Sequence, residues 1–258
     1  MENTKQSLEQ ILAEYDQHLS ENPDDANIWN DRGVALEKLG QYMEAIKSYD
    51  RAIAFNPNLA EAWNNRGIAL EKVERYQDAI RCYDRALIIK PNLSNAWNNR
   101  AISLRKLGRY QAAVASYDKA LALKPDDWEV WNNRGIALYE LGQYREAIIS
   151  YDKSLIVKPN NYEAWTNRGN ALGKLGRYEN AIDSYNEALA LEQKNALIWY
   201  NKACCYALQY QTKLATDSLQ VAINLNPDRY RDMARTDPDF EKIRKDGRFR
   251  ALIQPPRD

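Results

Sequence analysis

Tryptophan recurs at a fixed step of 34 residues, at Trp29, Trp63, Trp97, Trp131, Trp165 and Trp199. Other residue types keep the same step. Proline falls at Pro57, Pro91, Pro125 and Pro159, one period after Pro23; Gln193 interrupts the run and Pro227 resumes it. Two tyrosine columns, Tyr42, Tyr76, Tyr110, Tyr144, Tyr178 and Tyr49, Tyr83, Tyr117, Tyr151, Tyr185, run beside an alanine column, Ala45, Ala79, Ala113, Ala147, Ala181, Ala215. A period of this length marks a stack of small supersecondary units, each unable to bury its apolar face without its neighbours.

The content of one period gives the unit. In Ala60–Leu93 the apolar positions Ala62, Trp63, Ile68, Ala69, Leu70 and Val73 have helical spacing; after a break near Glu74-Arg75 the pattern resumes at Tyr76, Ala79, Ile80, Tyr83, Ala86 and Leu87. Each half is about 14 residues, so the unit reads as two antiparallel helices joined by a short turn. Gly40, Gly108, Gly142 and Gly176 stand where the first helix must stop, and the prolines follow the second. The small column Gly33, Gly67, Ala101, Gly135, Gly169, Ala203 is expected where two helices approach closely, with tryptophan one turn earlier filling the adjoining space.

The period predicts six units, 26–59, 60–93, 94–127, 128–161, 162–195 and 196–229, with a capping helix in 1–25 and a cap and tail in 230–258. Residues 6–21 resemble a second helix without its first, with His18 as a solvated capping residue. At the other end, Asp237-Pro238-Asp239 is a helix-start signal, and Phe240, Ile243, Phe249, Leu252 and Ile253 form a packing face for one or two short helices over 230–253. The Pro255-Pro256 tail is expected to reach a neighbouring molecule's groove.

Composition narrows the function. Lysine plus arginine and aspartate plus glutamate both total 36, so no net charge draws the chain to nucleic acid or anionic lipid. No apolar run reaches the roughly 20 residues of a membrane helix, so membrane insertion is not expected. The opening Met1-Glu2-Asn3-Thr4-Lys5-Gln6 has neither a basic nor an apolar stretch, and no signal peptide is expected. Three cysteines, Cys82, Cys204 and Cys205, without a signal favour a reducing cytoplasm. With His18 as the sole histidine, triad chemistry and multi-histidine metal sites are excluded, and no glycine-rich phosphate loop is present. No metal, no cofactor and no catalytic activity are expected.

The run Trp63-Asn64-Asn65-Arg66-Gly67-Ile68-Ala69-Leu70, followed by Ala79, Tyr83 and Pro91, resembles the tetratricopeptide repeat family, with arginine where that family has leucine and leucine where it has tyrosine. The resemblance covers residues 26–229. It implies an all-α fold, a right-handed superhelical solenoid of antiparallel helix pairs. It also implies that first helices line a concave groove. Its function would be a non-enzymatic scaffold or adaptor holding an extended peptide or helix of a partner. The family also contains assembly factors, so the alternative is a self-associating component of a larger complex, such as a bacterial membrane or photosynthetic assembly.

Numbering the unit from Ala60 as one, the resemblance places positions 2, 5, 6, 9 and 12 in the groove. Position 5 holds Asn30, Asn64, Asn98, Asn132, Thr166 and Tyr200; position 6 holds Asp31, Asn65, Asn99, Asn133, Asn167 and Asn201. Asparagine is a mediocre helix former, so paired asparagines mid-helix are there for another reason. Each offers donor and acceptor and can hold a peptide backbone without reading its sequence; the alternative is a hydrogen-bond network between helices. Position 9 is Val34, Ile68, Ile102 and Ile136, an apolar floor at the first four units, then Asn170 and Cys204, and Glu37, Glu71, Arg105 and Tyr139 stand at position 12. Acidic residues exceed basic ones across these columns, which favours neutral or basic peptides. The lysines and arginine of the chaperone-tail carboxylate clamp are missing from these columns, so chaperone C-termini are disfavoured as ligands.

Outside the groove, an arginine column (Arg32, Arg66, Arg100, Arg134, Arg168, then Lys202) follows an aspartate column (Asp16, Asp50, Asp84, Asp118, Asp152, then Asn186) at a separation of 16 residues. This pairing predicts a structural ladder between units, with binding of an acidic partner as the alternative.

Overall fold

The computed structural model describes residues 2–254, and the Pro255-Pro256 expectation lies outside the described residues. All elements described are helical. After α1 (Glu2–Glu21) come pairs of 13 and 14 residues: α2 (Ala26–Lys38) with α3 (Tyr42–Phe55), α4 (Ala60–Lys72) with α5 (Tyr76–Ile89), and α6 (Ser94–Lys106) with α7 (Tyr110–Leu123). Next come α8 (Trp128–Glu140) with α9 (Tyr144–Val157), α10 (Tyr162–Lys174) with α11 (Tyr178–Leu191), and α12 (Ala196–Leu208) with α13 (Thr212–Leu225). Then α14 (Pro227–Thr236), a 3₁₀ helix (Pro238–Ile243) and α15 (Gly247–Ile253) follow. The helices fall into two compact units, Met1–Asp126 and Asp127–Asp258.

Each helix packs on its pair partner, and within each compact unit the first helices of successive pairs also touch, α2 on α4, α4 on α6, α8 on α10 and α10 on α12. The core is the alanine and tyrosine columns: Ala45, Ala79, Ala113, Ala147 and Ala181 are fully buried, as are Tyr49, Tyr83 and Tyr117. The small column lies where the paired helices approach closely, and the tyrosine ring is what it makes room for. A Cβ on Gly33, Gly67, Gly135 or Gly169 would lie 2.4–2.5 Å from the ring carbon Cε1 of Tyr49, Tyr83, Tyr151 or Tyr185, so glycine makes room for the tyrosine of the second helix. Tryptophan stands one turn earlier on the same helix. Its indole N–H donates at 2.9 Å to the carbonyl six residues earlier, as from Trp63 to Pro57 and Trp165 to Pro159, and so ties each first helix to the turn before it.

The inner turns follow the glycine pattern where glycine is present. Gly40, Gly108, Gly142 and Gly176 have φ of 71–76°. The chain then doubles back with bonds such as Gln41 N–H to the Leu36 carbonyl, which satisfies the last turn of the helix. In the second and sixth pairs the same turn is made by Glu74 (φ 60°) and Tyr210 (φ 61°). A side chain in this left-handed region costs about 1 kcal/mol relative to glycine. Glu74→Gly should therefore raise the melting temperature by about 2–3 °C, the smaller net gain reflecting glycine's freer unfolded chain. Calorimetric melts of the two proteins check it.

At the N-terminus His18 Nε2 stands 3.3 Å from the carboxylate of Asp25, the residue that caps α2, in keeping with a capping role. At the C-terminus the cap begins earlier than expected. Pro227 does not close the last pair; it opens α14, which runs across the expected boundary at 229/230. Tyr200, Tyr230, Phe240 and Phe249 then form a chain of aromatic contacts at centroid separations of 5.2–5.6 Å. Ile243 is buried with them, and Leu252 and Ile253 pack partly buried at the edge.

Candidate functional site

The asparagines of these columns lie along the first helices at half-buried positions, with Asn132 buried, and amides bond to one another between pairs. Asn65 Nδ2 donates to Asn30 Oδ1 at 3.1 Å and Asn64 Nδ2 donates to Asn65 Oδ1 at 3.3 Å. Asn167 Nδ2 donates to Asn132 Oδ1 at 3.4 Å, and Asn201 Nδ2 donates to Asn170 Oδ1 at 3.0 Å, where the Tyr185 hydroxyl also donates at 2.8 Å. The helix-to-helix network weighed from sequence is therefore present. It leaves a remainder: the half-buried amides of Asn99 and Asn133 have no hydrogen-bond partner among the described residues. Asn64 Oδ1 and Asn98 Oδ1 are also unpartnered, but they are shut away from the surface.

The residues of the expected apolar floor lie on the first helices. Ile68, Ile102 and Ile136 are half-buried, each with an edge left open. Position 12 departs from expectation, because its acids are committed inside the protein. Glu37 accepts from the Tyr49 hydroxyl at 3.2 Å, and Glu71 accepts from the Ser103 hydroxyl at 2.8 Å. Arg105 also turns inward, with Nε buried beside Tyr117, whose phenol is pushed up to about 12 chiefly by burial. Glu61 at position 2 is paired with Lys90 at 3.0 Å. Half of the acidic residues counted from sequence are thus engaged, while Asp31, Glu129 and Glu163 stay exposed.

Burial raises the carboxyls of Glu37 and Glu71 above their ordinary 4.5. The folded state then holds a proton that the unfolded state has released, so stability falls as pH rises from about 4.5 through the raised value. Glu71→Gln keeps an acceptor for Ser103 and removes the charge. We expect a melting temperature about 2–4 °C higher at pH 7 and little difference at pH 4, read from melts across that range.

In the second compact unit Tyr139, Asn170 and Asn201 come together with Tyr178, Leu197 and Asp239 around a cavity of about 580 Å³. The expected groove ends here. Tyr200 and Cys204, which continue positions 5 and 9, are covered by the 3₁₀ helix: the Tyr200 hydroxyl donates to Asp237 Oδ2 at 2.6 Å, with Cys204 Sγ 3.9 Å from the same oxygen. Cys204, Asp237 and Asp239 offer ligand atoms within 4.8 Å of one another. Burial pushes the Cys204 thiol up, and the two nearby carboxylates push it further. Residues 230–253 show no 34-residue period, so this closure left no mark in the repeat pattern.

Four of the five expected ladder pairs fall inside one compact unit, and all four form, with arginine Nε donating to aspartate Oδ1 at 2.6–2.7 Å: Arg32 to Asp16, Arg66 to Asp50, Arg100 to Asp84 and Arg168 to Asp152. Each of these guanidinium groups, and that of Arg134, also reaches the residue 16 positions on: Ser48, Cys82, Ser116 and Ser184, with Ser150 for Arg134. That serine column has the same period and carried the signal unread.

A stack of helix pairs tied by periodic side-chain bonds defines a helical-repeat protein. Sequence models described as tetratricopeptide repeat match residues 98–164, 60–93, 162–195 and 14–47, and one described as TPR repeat matches 38–73. The chain belongs to the tetratricopeptide repeat family. No curated protein sequence matches it.

Solved structures share the fold. YrrB, titled a TPR protein with an unusual peptide-binding site, is 23% identical over 70% of this chain and 93% of its own, with a TM-score of 0.63. PilF of Pseudomonas aeruginosa is 18% identical over 81% of this chain and 96% of its own, with a TM-score of 0.67. The C-terminal part of a TPR repeat-containing protein of Cytophaga hutchinsonii is 18% identical over 88% and 94%, with a TM-score of 0.74. No helix among the described residues is long and apolar enough to cross a membrane.

Proposed function

We propose that the chain is a non-enzymatic interaction scaffold whose first-helix face holds an extended segment of a partner protein. One observation carries this reading. Most amides of the asparagine columns are used up between helices, yet in the first compact unit Asn99 keeps its full donor and acceptor capacity at a half-buried position beside Ile102, and in the second Asn133 does so beside Ile136. An amide beside an apolar step suits a peptide main chain, which needs paired donors and acceptors and alternates its side chains. With Glu37 and Glu71 bonded inside the protein and Glu61 paired at the surface with Lys90, the face is less acidic than the sequence implies, and the favoured ligand is a neutral or basic extended segment. YrrB, a TPR protein described as having an unusual peptide-binding site, supports the same reading by its similar fold.

The test is capture of partners from a native lysate by the wild-type chain and by Asn99→Ala/Asn133→Ala, with the captured proteins identified by mass spectrometry. These substitutions break no internal hydrogen bond, so the melting temperature should stay within about 1 °C while capture falls about tenfold. Equal capture by both proteins would falsify the proposal.

A further inference from the structure

The ladder fails at its sixth position in a particular way. In the preceding pair Arg168 donates to Asp152 at 2.6 Å and to Ser184 at 2.7 Å, with its guanidinium 5.7 Å from the centre of the Trp165 ring. One period on, Lys202 stands over Trp199 at 4.9 Å, but Asn186 replaces the aspartate. The cation has been kept and the anion lost. Lys202 is half-buried and has no carboxylate or hydrogen-bond partner among the described residues. Desolvation pulls its ammonium down, with no opposing charge to offset it.

Beside it the surface opens into a cavity of about 450 Å³ lined by Lys202, Lys194, Asn186 and Trp199, with Leu189 and Leu225 among its apolar walls. Two ammonium groups and an amide over an apolar floor complement one ligand chemistry, a carboxylate carried on an apolar segment. A half-buried cation without a counter-ion is costly, and the sister pairs show which group relieves it.

We infer that this cavity docks an acidic side chain of a partner protein, flanked by apolar residues, with Lys202 receiving from outside the carboxylate that Arg168 receives from within the chain. The site lies outside the asparagine columns and does not depend on the reading of the first-helix face.

The probe is a blocked leucine–glutamate–leucine tripeptide, compared with its glutamine counterpart and with free pentanoate. The readout is the Trp199 indole N–H resonance, whose bond to the Gln193 carbonyl fixes it in place. The glutamate peptide should shift this resonance saturably and bind about tenfold tighter than the glutamine peptide. Asn186→Asp, which supplies Lys202 with an internal carboxylate, should weaken the peptide about tenfold and raise the melting temperature, and Lys202→Met should abolish the difference between the two peptides.

Equal binding of both peptides, no saturable shift up to about 20 mM, or binding unchanged in Asn186→Asp overturns the inference. Saturable binding of pentanoate without binding of the glutamate peptide overturns it as well, since the site would then serve a small free acid.

Discussion

Gly67→Val should lower the melting temperature by about 6–9 °C, corresponding to about 3 kcal/mol at this chain length. The cause is the ring of Tyr83, which is fully buried and approaches to 2.5 Å of the place a Cβ would occupy. The third pair calibrates the effect. There Ala101 faces Tyr117, both fully buried, so one methyl group is accommodated by a small displacement. Gly67→Ala should accordingly cost about 1 kcal/mol, whereas the two γ-methyls of valine have no space and few rotamers in a helix. Because each repeat contacts only its neighbours, the loss of amide-exchange protection should concentrate in α4 and α5 and fade towards the ends of the stack. A melting temperature unchanged by Gly67→Val would mean that the Tyr83 ring moves aside freely and does not require glycine at this position.

The sequence made the fold legible because its physics is repeated. One tryptophan in one helix predicts little, whereas tryptophan at Trp29, Trp63, Trp97, Trp131, Trp165 and Trp199 with coordinated tyrosine, alanine and proline columns admits few architectures. The Arg–Asp ladder was readable for the same reason: residues equidistant from a turn face each other, so a 16-residue offset became a contact.

What could not be read is where a side chain spends its hydrogen bonds. Asn65 and Glu71 both read as polar residues of one face, yet Asn99, one period after Asn65, is unpartnered among the described residues while Glu71 is bonded to Ser103 and its carboxyl is raised by burial. The closure over Tyr200 and Cys204 was equally hidden, because Asp237 and Phe240 belong to a segment without period and their target is fixed by tertiary packing alone. The partner of Lys202 was lost from the sequence by a coordinated change at two positions, which reads as drift until the cavity beside it is seen.

Arg100→Leu tests whether the ladder is structural. The guanidinium donates to Asp84 at 2.7 Å and to Ser116 at 2.6 Å and sits 5.9 Å from the centre of the Trp97 ring. Leucine retains part of the apolar stem and none of these contacts. Ser116 keeps a second bond, to the Ala112 carbonyl at 3.0 Å, so it is not orphaned. Asp84, with 45% of its side chain exposed, recovers water on one side. The cost should therefore fall below that of breaking a buried ion pair and above that of an exposed one, at about 2 kcal/mol, or about 4–8 °C in melting temperature. Arg100→Lys, which preserves the charge and loses the planar fork, should cost about half as much. Partner capture should be unchanged by either substitution, since the guanidinium is engaged by α5 and α7 and does not face the asparagine columns. If melting were instead unaffected while capture was lost, these arginines would be a binding surface for an acidic partner, and the ladder would owe its regularity to duplication alone.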